Sequence, residues 1–269
     1  MKSFLSKLNL ILLALLATSA AAETVDCTIQ PSLRVDVTSS VDGILEEILV
    51  RPGDRVEKGQ VLARLQSDVE RTSLEIAKAR AGNFAARESA ESRHEFYLSR
   101  LNRARELIDR QIIPFEELER AQTEFIIAEN DLESALTDLK FAELEVLRTK
   151  ALLELKTVRS PFDGILVQHY LDPGAFVGEQ AAILELAKLD PLKVRAFVPV
   201  HLHPTVQSMS LTTVWPQAPF DGAKTAEITL VESVFDIASG TFGVDLLIGN
   251  PDYSLPAGIK CKVDFKSTN

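Results

Sequence analysis

From Leu118 to Leu153 the chain keeps one pattern without a break. Leu118, Ala121, Phe125, Ala128, Leu132, Ala135, Leu139, Ala142, Val146, Thr149 and Leu153 follow at alternating spacings of three and four. Such a run is the seam of a left-handed coiled coil, because 3.5 residues per turn keeps one stripe on one partner. The alternation of a large residue with alanine predicts two helices in close approach. The partner lies upstream, where residues 69–110 also read as helix. Pro114 is the only proline between residues 53 and 160, and no glycine occurs from 83 to 163. The first arm opens with the capping-box pattern Ser67-x-x-Glu70. Gly82 weakens its middle by about 1 kcal/mol relative to alanine. Leu98, Leu101, Arg105 and Ile108 resume the spacing. The short link Gln111-Ile112-Ile113 folds the arms antiparallel. Pro114 suits the first turn of the returning helix, with Glu116 and Glu117 at its positive end. Each arm is about 42 residues, or roughly 63 Å at 1.5 Å per residue.

The helical insertion splits a repeat. Asp42-Gly43-Ile44-Leu45, Pro52-Gly53, Val56 and Leu65 recur as Asp163-Gly164-Ile165-Leu166, Pro173-Gly174, Val177 and Leu186, each pair 121 residues apart. Each copy reads as strand, Pro-Gly turn, strand, with apolar residues alternating. Proline presets the φ before the turn and glycine tolerates the positive φ that follows.

The flanking sequence adds compartment and charge. Lys2 and Lys7 precede an apolar stretch, Leu8 to Ala17, and then Ala20-Ala21-Ala22. This is the layout of a cleaved export signal over residues 1–22, too short to span a bilayer. The net charge of −10 gives no basic surface for nucleic acid. Two cysteines are too few for a disulfide scaffold or a zinc set. No nucleophile–base pattern or phosphate loop stands out, so an enzyme is not expected.

Half-motif, helical hairpin, half-motif resembles the periplasmic adaptors of bacterial tripartite efflux pumps, the membrane fusion or HlyD-like proteins. Asp190-Pro191-Leu192-Lys193-Val194 looks like the start of that family's β-barrel. Ser239-Gly240-Thr241-Phe242, Asn250-Pro251-Asp252 and Leu255-Pro256-Ala257-Gly258-Ile259 look like its signature near the barrel's end. The resemblance implies an α+β chain. Its lipoyl-like β domain, 31–67 and 157–190, is split by a long antiparallel coiled-coil hairpin, 68–156. A small β-barrel follows over 191–269, with residues 23–30 a candidate addition to it. With the chain ending at Asn269, a further membrane-proximal domain is expected to be absent or reduced.

It also implies a non-catalytic role in the periplasm, held at the inner membrane by a transporter. The expected transporter is of the resistance-nodulation-division type, with an ABC-type exporter or secretion system as the alternative and a non-transport coiled-coil scaffold behind both. The expected partners are that transporter, an outer-membrane channel of the TolC-like kind, and further copies in a ring, trimeric or hexameric. No cofactor is expected. The family's tip pattern falls on Arg103 and Leu107, with Pro114 in place of its serine, and Ile112 and Ile113 are expected to be exposed beside them. A lipoyl or biotinyl carrier would present a modified lysine on the turn that this chain replaces with the insertion. His201 and His203 would face one side of a strand, but no third ligand accompanies them. The two chain ends should run side by side in the barrel, which makes Cys27 and Cys261 a candidate disulfide in an oxidising compartment.

Overall fold

The structure is a computed structural model that describes residues 24–265 apart from 179 and 221. The export signal assigned to residues 1–22 lies outside the described residues. In chain order the elements are β1 (Thr24–Thr38), β2 (Gly43–Ile48), β3 (Arg55–Val56), β4 (Val61–Leu65), α1 (Asp68–Ala81), α2 (Ala85–Asp109) and α3 (Phe115–Glu154). There follow β5 (Thr157–Arg159), β6 (Gly164–His169), β7 (Phe176–Val177), β8 (Ala182–Pro199), a 3₁₀ turn at Val200–Leu202, α4 (His203–Gln207), β9 (Leu211–Pro216), β10 (Lys224–Val231), β11 (Thr241–Ile248) and β12 (Ile259–Asp264).

The sequence repeat becomes a pseudo-twofold sandwich. Copy one gives β2, β3 and β4; copy two gives β6, β7 and the start of β8. Strands pair across copies: Gly43 opposite Val177, and Val56 opposite Gly164, the equivalent positions of the repeat. The Pro-Gly turns match as well. Gly53 and Gly174 have φ of 93° and 92°, and their N–H groups donate to the carbonyls of Leu166 and Leu45 at 2.8 and 2.7 Å. One layer is β5-β4-β2-β7 and the other is β1-β8-β6-β3. Leu45 and Leu166, equivalent in the repeat, are both fully buried between the layers with Leu62, Leu65 and Leu186. Gly164 is required by close approach, since a Cβ there would lie 2.5 Å from the Ala187 carbonyl.

β1 and β8 are long enough to serve both domains. β8 runs without a break past residue 190, where the sequence suggested a boundary. Beyond the sandwich, β1-β12-β9-β10-β11-β8 close on themselves through the β1–β8 pairing as a six-stranded antiparallel barrel. Closure removes exposed edges. Alternate residues of β1 (Val25, Cys27, Ile29) and of β8 (Leu192, Val194, Ala196, Val198) fill it. Thr24–Ile29 are thus barrel residues, paired with β12.

The insertion leaves the sandwich between β4 and β5, where the Leu65 N–H donates to the Lys156 carbonyl at 2.8 Å. α3 is one helix of 40 residues, about 60 Å long. All eleven positions of the 3-4 run on it are buried or half-buried, Ala121, Ala128 and Thr149 most completely. Both α1 and α2 pack against α3. Arg93 pairs with Asp131 at 3.7 Å, and Arg100 with Glu124 at 2.7 Å, so positions rise on α2 as they fall on α3.

The first arm departs from expectation in three ways. It is two helices, broken over Gly82–Phe84, where glycine's cost and the Asn83 turn coincide. Ser67 makes no capping bond with its side chain; Glu70 reaches Lys156 at 3.3 Å instead of closing the box. The inward stripe of α2 is Tyr97, Leu101, Ala104 and Ile108 rather than Leu98 and Arg105, which face solvent, because the break resets the helical phase.

Candidate functional site at the helical tip

The tip is built by the end of α2 and the start of α3. α2 ends in a Schellman motif: the Gln111 N–H donates to the Ile108 carbonyl at 2.9 Å and the Ile112 N–H to the Leu107 carbonyl at 3.0 Å. Gln111 takes the left-handed conformation, φ 56°, that this closure needs. Pro114 is extended, φ −70° and ψ 155°, and stands immediately before α3 rather than inside its first turn. Glu116 and Glu117 follow at the positive helix end.

Arg103 is exposed and donates from Nη1 to Ser99 Oγ at 3.0 Å, which leaves further guanidinium donors pointing outward. Leu107 is half-buried. Ile112 is 62% exposed, as expected. Ile113 is not: it is half-buried against the cluster of Leu101, Ala104 and Ala121. The turn's tightness aims Ile112 out and Ile113 back at the arms. Phe115, 63% exposed, takes the place expected of Ile113. It was legible in principle, since it sits off the 3-4 seam that begins at Leu118.

Cys27 and Cys261 face each other directly across the β1–β12 ladder. They are joined as a disulfide in the barrel interior, with Cα atoms 4.8 Å apart. His201 and His203 are not on a strand. His201 lies in the 3₁₀ turn and His203 opens α4, its ring packed edge-on against Phe235 and Phe242 at 5.1 and 4.9 Å. No group of three or more metal-ligating side chains occurs among the described residues. Trp215, 39% exposed, points outward from β9 and helps line an open groove of about 720 Å³ with Phe197, Lys260 and Lys262. Arg195, nearby, is held by Asp245 at 2.8 Å and by Glu232, and the Asp245 hydrogen bond keeps its guanidinium pKa above the ordinary value. No described helix is long and apolar enough to cross a membrane.

Comparison with known proteins gives one family match: the family described as CzcB-like, barrel-sandwich hybrid domain matches residues 34–188. The macrolide export protein MacA of Yersinia pestis is 24% identical over 245 residues, 88% of this chain and 65% of that one. The antibiotic efflux pump periplasmic linker protein ArpA of Pseudomonas putida is 28% identical over 161 residues, 59% of this chain and 36% of that one. The chain therefore spans about two thirds of the first relative and about a third of the second. The crystal structure of MacA from Actinobacillus actinomycetemcomitans superposes with a TM-score of 0.72 at 20% identity, covering 90% of this chain and 77% of that one.

Proposed function

Because the chain belongs to the CzcB-like barrel-sandwich hybrid family, we propose that it is a periplasmic adaptor of an efflux system. In this reading it bridges an inner-membrane transporter to an outer-membrane channel and catalyses nothing. One observation carries the proposal. A pseudo-twofold sandwich, continuous with a closed barrel, projects an insertion whose returning helix alone is about 60 Å long. In this reading α1, α2 and α3 form an antiparallel coiled-coil hairpin that reaches across the periplasm. The sandwich and barrel then sit over the transporter, and residues 1–22 direct export and are removed.

The turn that would offer a lysine for lipoate or biotin is replaced by that insertion, which supports a mechanical role over a carrier role. Binding and sealing are then the whole mechanism. Arg103 offers donors to carbonyls or a carboxylate on the channel's helices. Leu107, Ile112 and Phe115 supply apolar area around it, and Pro114 and the Schellman turn hold that surface rigid, so little ordering cost is met on docking. The transporter is read as the resistance-nodulation-division type. An ABC-type exporter is the second reading, favoured by the longer match to the macrolide export protein than to the periplasmic linkers.

The test substitutes the tip. Arg103→Asp and Leu107→Ser, made singly, should each abolish crosslinking to the channel and lower export while helix content is kept. Wild-type export and crosslinking in both would overturn the tip assignment. A lower melting temperature alone for Leu107→Ser would place that residue in the helix–helix seam.

A further inference from the structure

A groove of about 720 Å³ runs over the outer face of the barrel, inside the range of small-molecule sites, roughly 300–1,000 Å³. Strands β8, β1, β12 and β9 lie side by side there, and their outward residues alternate with the buried ones. The outer two strands supply aromatic walls. Phe197 of β8 is 60% exposed and Trp215 of β9 is 39% exposed. Three strand spacings, about 14 Å of sheet, separate them. Aromatic side chains left uncovered on either side of one groove offer stacking faces to a flat ring. Arg195 stands 5.6 Å from the centroid of the Phe197 ring. Its guanidinium is held by Asp245 and Glu232, which fixes that wall.

The floor between the walls is charged, and the charges do not cancel. Lys262 of β12 lies opposite Asp26 of β1, a facing pair of opposite sign. Lys260 lies opposite Thr28, a neutral residue. Neither lysine forms an ion pair among the described residues. Arg195 and Lys193 are already taken up by Asp245, at 2.8 and 2.9 Å. Lys260 is therefore the cation of this floor that no carboxylate faces directly. Its neighbours are donors. Thr28 Oγ1 accepts from Gln30 Nε2 at 3.2 Å, which leaves the hydroxyl proton to donate. The Gln217 N–H donates to the Lys260 carbonyl at 3.0 Å, which ties Gln217 beside Lys260, and its side-chain amide adds two more donors.

We propose that this groove binds a small aromatic monoanion, its ring between Phe197 and Trp215 and its carboxylate on Lys260, Thr28 and Gln217. One cation in excess matches one negative charge. An exposed ammonium group holds an anion weakly by itself, so the ring supplies the contact area and Lys260 selects the charge. A neutral ring of the same shape keeps the stacking and loses the charge-assisted hydrogen bond. The proposal stands on the barrel alone and does not depend on which transporter or channel the chain meets.

The probe is naphthoate, titrated into the full exported chain carrying fluorotryptophan. Trp215 is the chain's one tryptophan, so a single fluorine resonance reports on the groove wall. Naphthoate should shift that resonance along a saturating curve. Naphthamide, the same ring without the charge, should bind about tenfold more weakly, the difference between a charge-assisted and a neutral hydrogen bond. Lys260→Gln should weaken naphthoate by about the same factor and leave naphthamide unchanged. Lys262→Gln should change naphthoate binding less, because that lysine faces Asp26. Phe197→Ala should weaken both probes, and Phe197→Leu replaces it should the alanine variant lower the melting temperature of the barrel. A shift that never saturates, equal affinity for naphthoate and naphthamide, or naphthoate binding indifferent to Lys260→Gln would each overturn the proposal. A larger effect from Lys262→Gln than from Lys260→Gln would overturn the assignment of the anchor. Copurification with a transporter and channel is a separate measurement, so failure here leaves the adaptor reading standing.

Discussion

Breaking the cross-strand bond between Cys27 and Cys261 should loosen the barrel about as much as a large-to-small substitution in its core. The two residues are 234 apart in sequence, so the bond closes nearly the whole folded chain into a loop. Loop entropy for that length amounts to about 5 kcal/mol, and removal of native disulfides from small domains costs roughly 2–5 kcal/mol. At about 2–4 °C per kcal/mol for a domain of this size, the barrel should melt roughly 5–20 °C lower without it. The side chains occupy the interior, and β1 and β12 are adjacent strands, so the bond adds no cavity and no new packing. The chain's one tryptophan, Trp215, lies on β9 opposite Lys262, one residue from Cys261. Its fluorescence therefore reads the barrel, while far-ultraviolet ellipticity reads mainly the helices. Oxidised and reduced wild type, and Cys27→Ala with Cys261→Ala, should differ in the Trp215 transition and agree at the helices. Two titratable thiols per chain in oxidised, periplasm-derived protein, or a Trp215 transition that ignores reduction, would refute the reasoning.

Intact mass of the protein from its native host should match the chain without residues 1–22; a lipoyl or biotinyl increment on any lysine would contradict the adaptor reading. Gln111→Gly should stabilise the tip by about 1 kcal/mol, since a side chain at positive φ carries roughly that cost; the check is slower amide exchange at Ile112, and faster exchange would reject the Schellman account. Asp236 accepts backbone N–H groups from Ser239 and Ala238, which hold its pKa below the usual carboxylate value. Its contribution to the β10–β11 turn is thus present above the unfolded-state pKa and lost as pH falls through the lowered folded value. Chemical shifts of the Ala238 and Ser239 amides should move only at acid pH, and movement near neutrality would exclude that role.

The residues themselves carried much of this architecture. A repeat at a constant offset demands two similar β units, and a 3-4 apolar run demands a long helix with a partner, because each period matches one backbone geometry. Hence the Pro-Gly turns and the buried stripe of α3 are legible in the sequence alone. Tertiary structure decided what depends on distance between remote segments. Periodicity on one arm could not show that Gly82–Phe84 breaks it and shifts its phase, nor that Glu70 prefers Lys156 to its own capping box. Ile112 and Ile113 are alike as residues; only the left-handed Gln111 decides which turns outward and leaves Phe115 to complete the tip. The pairing of Cys27 with Cys261 needed both ends of the chain on neighbouring strands.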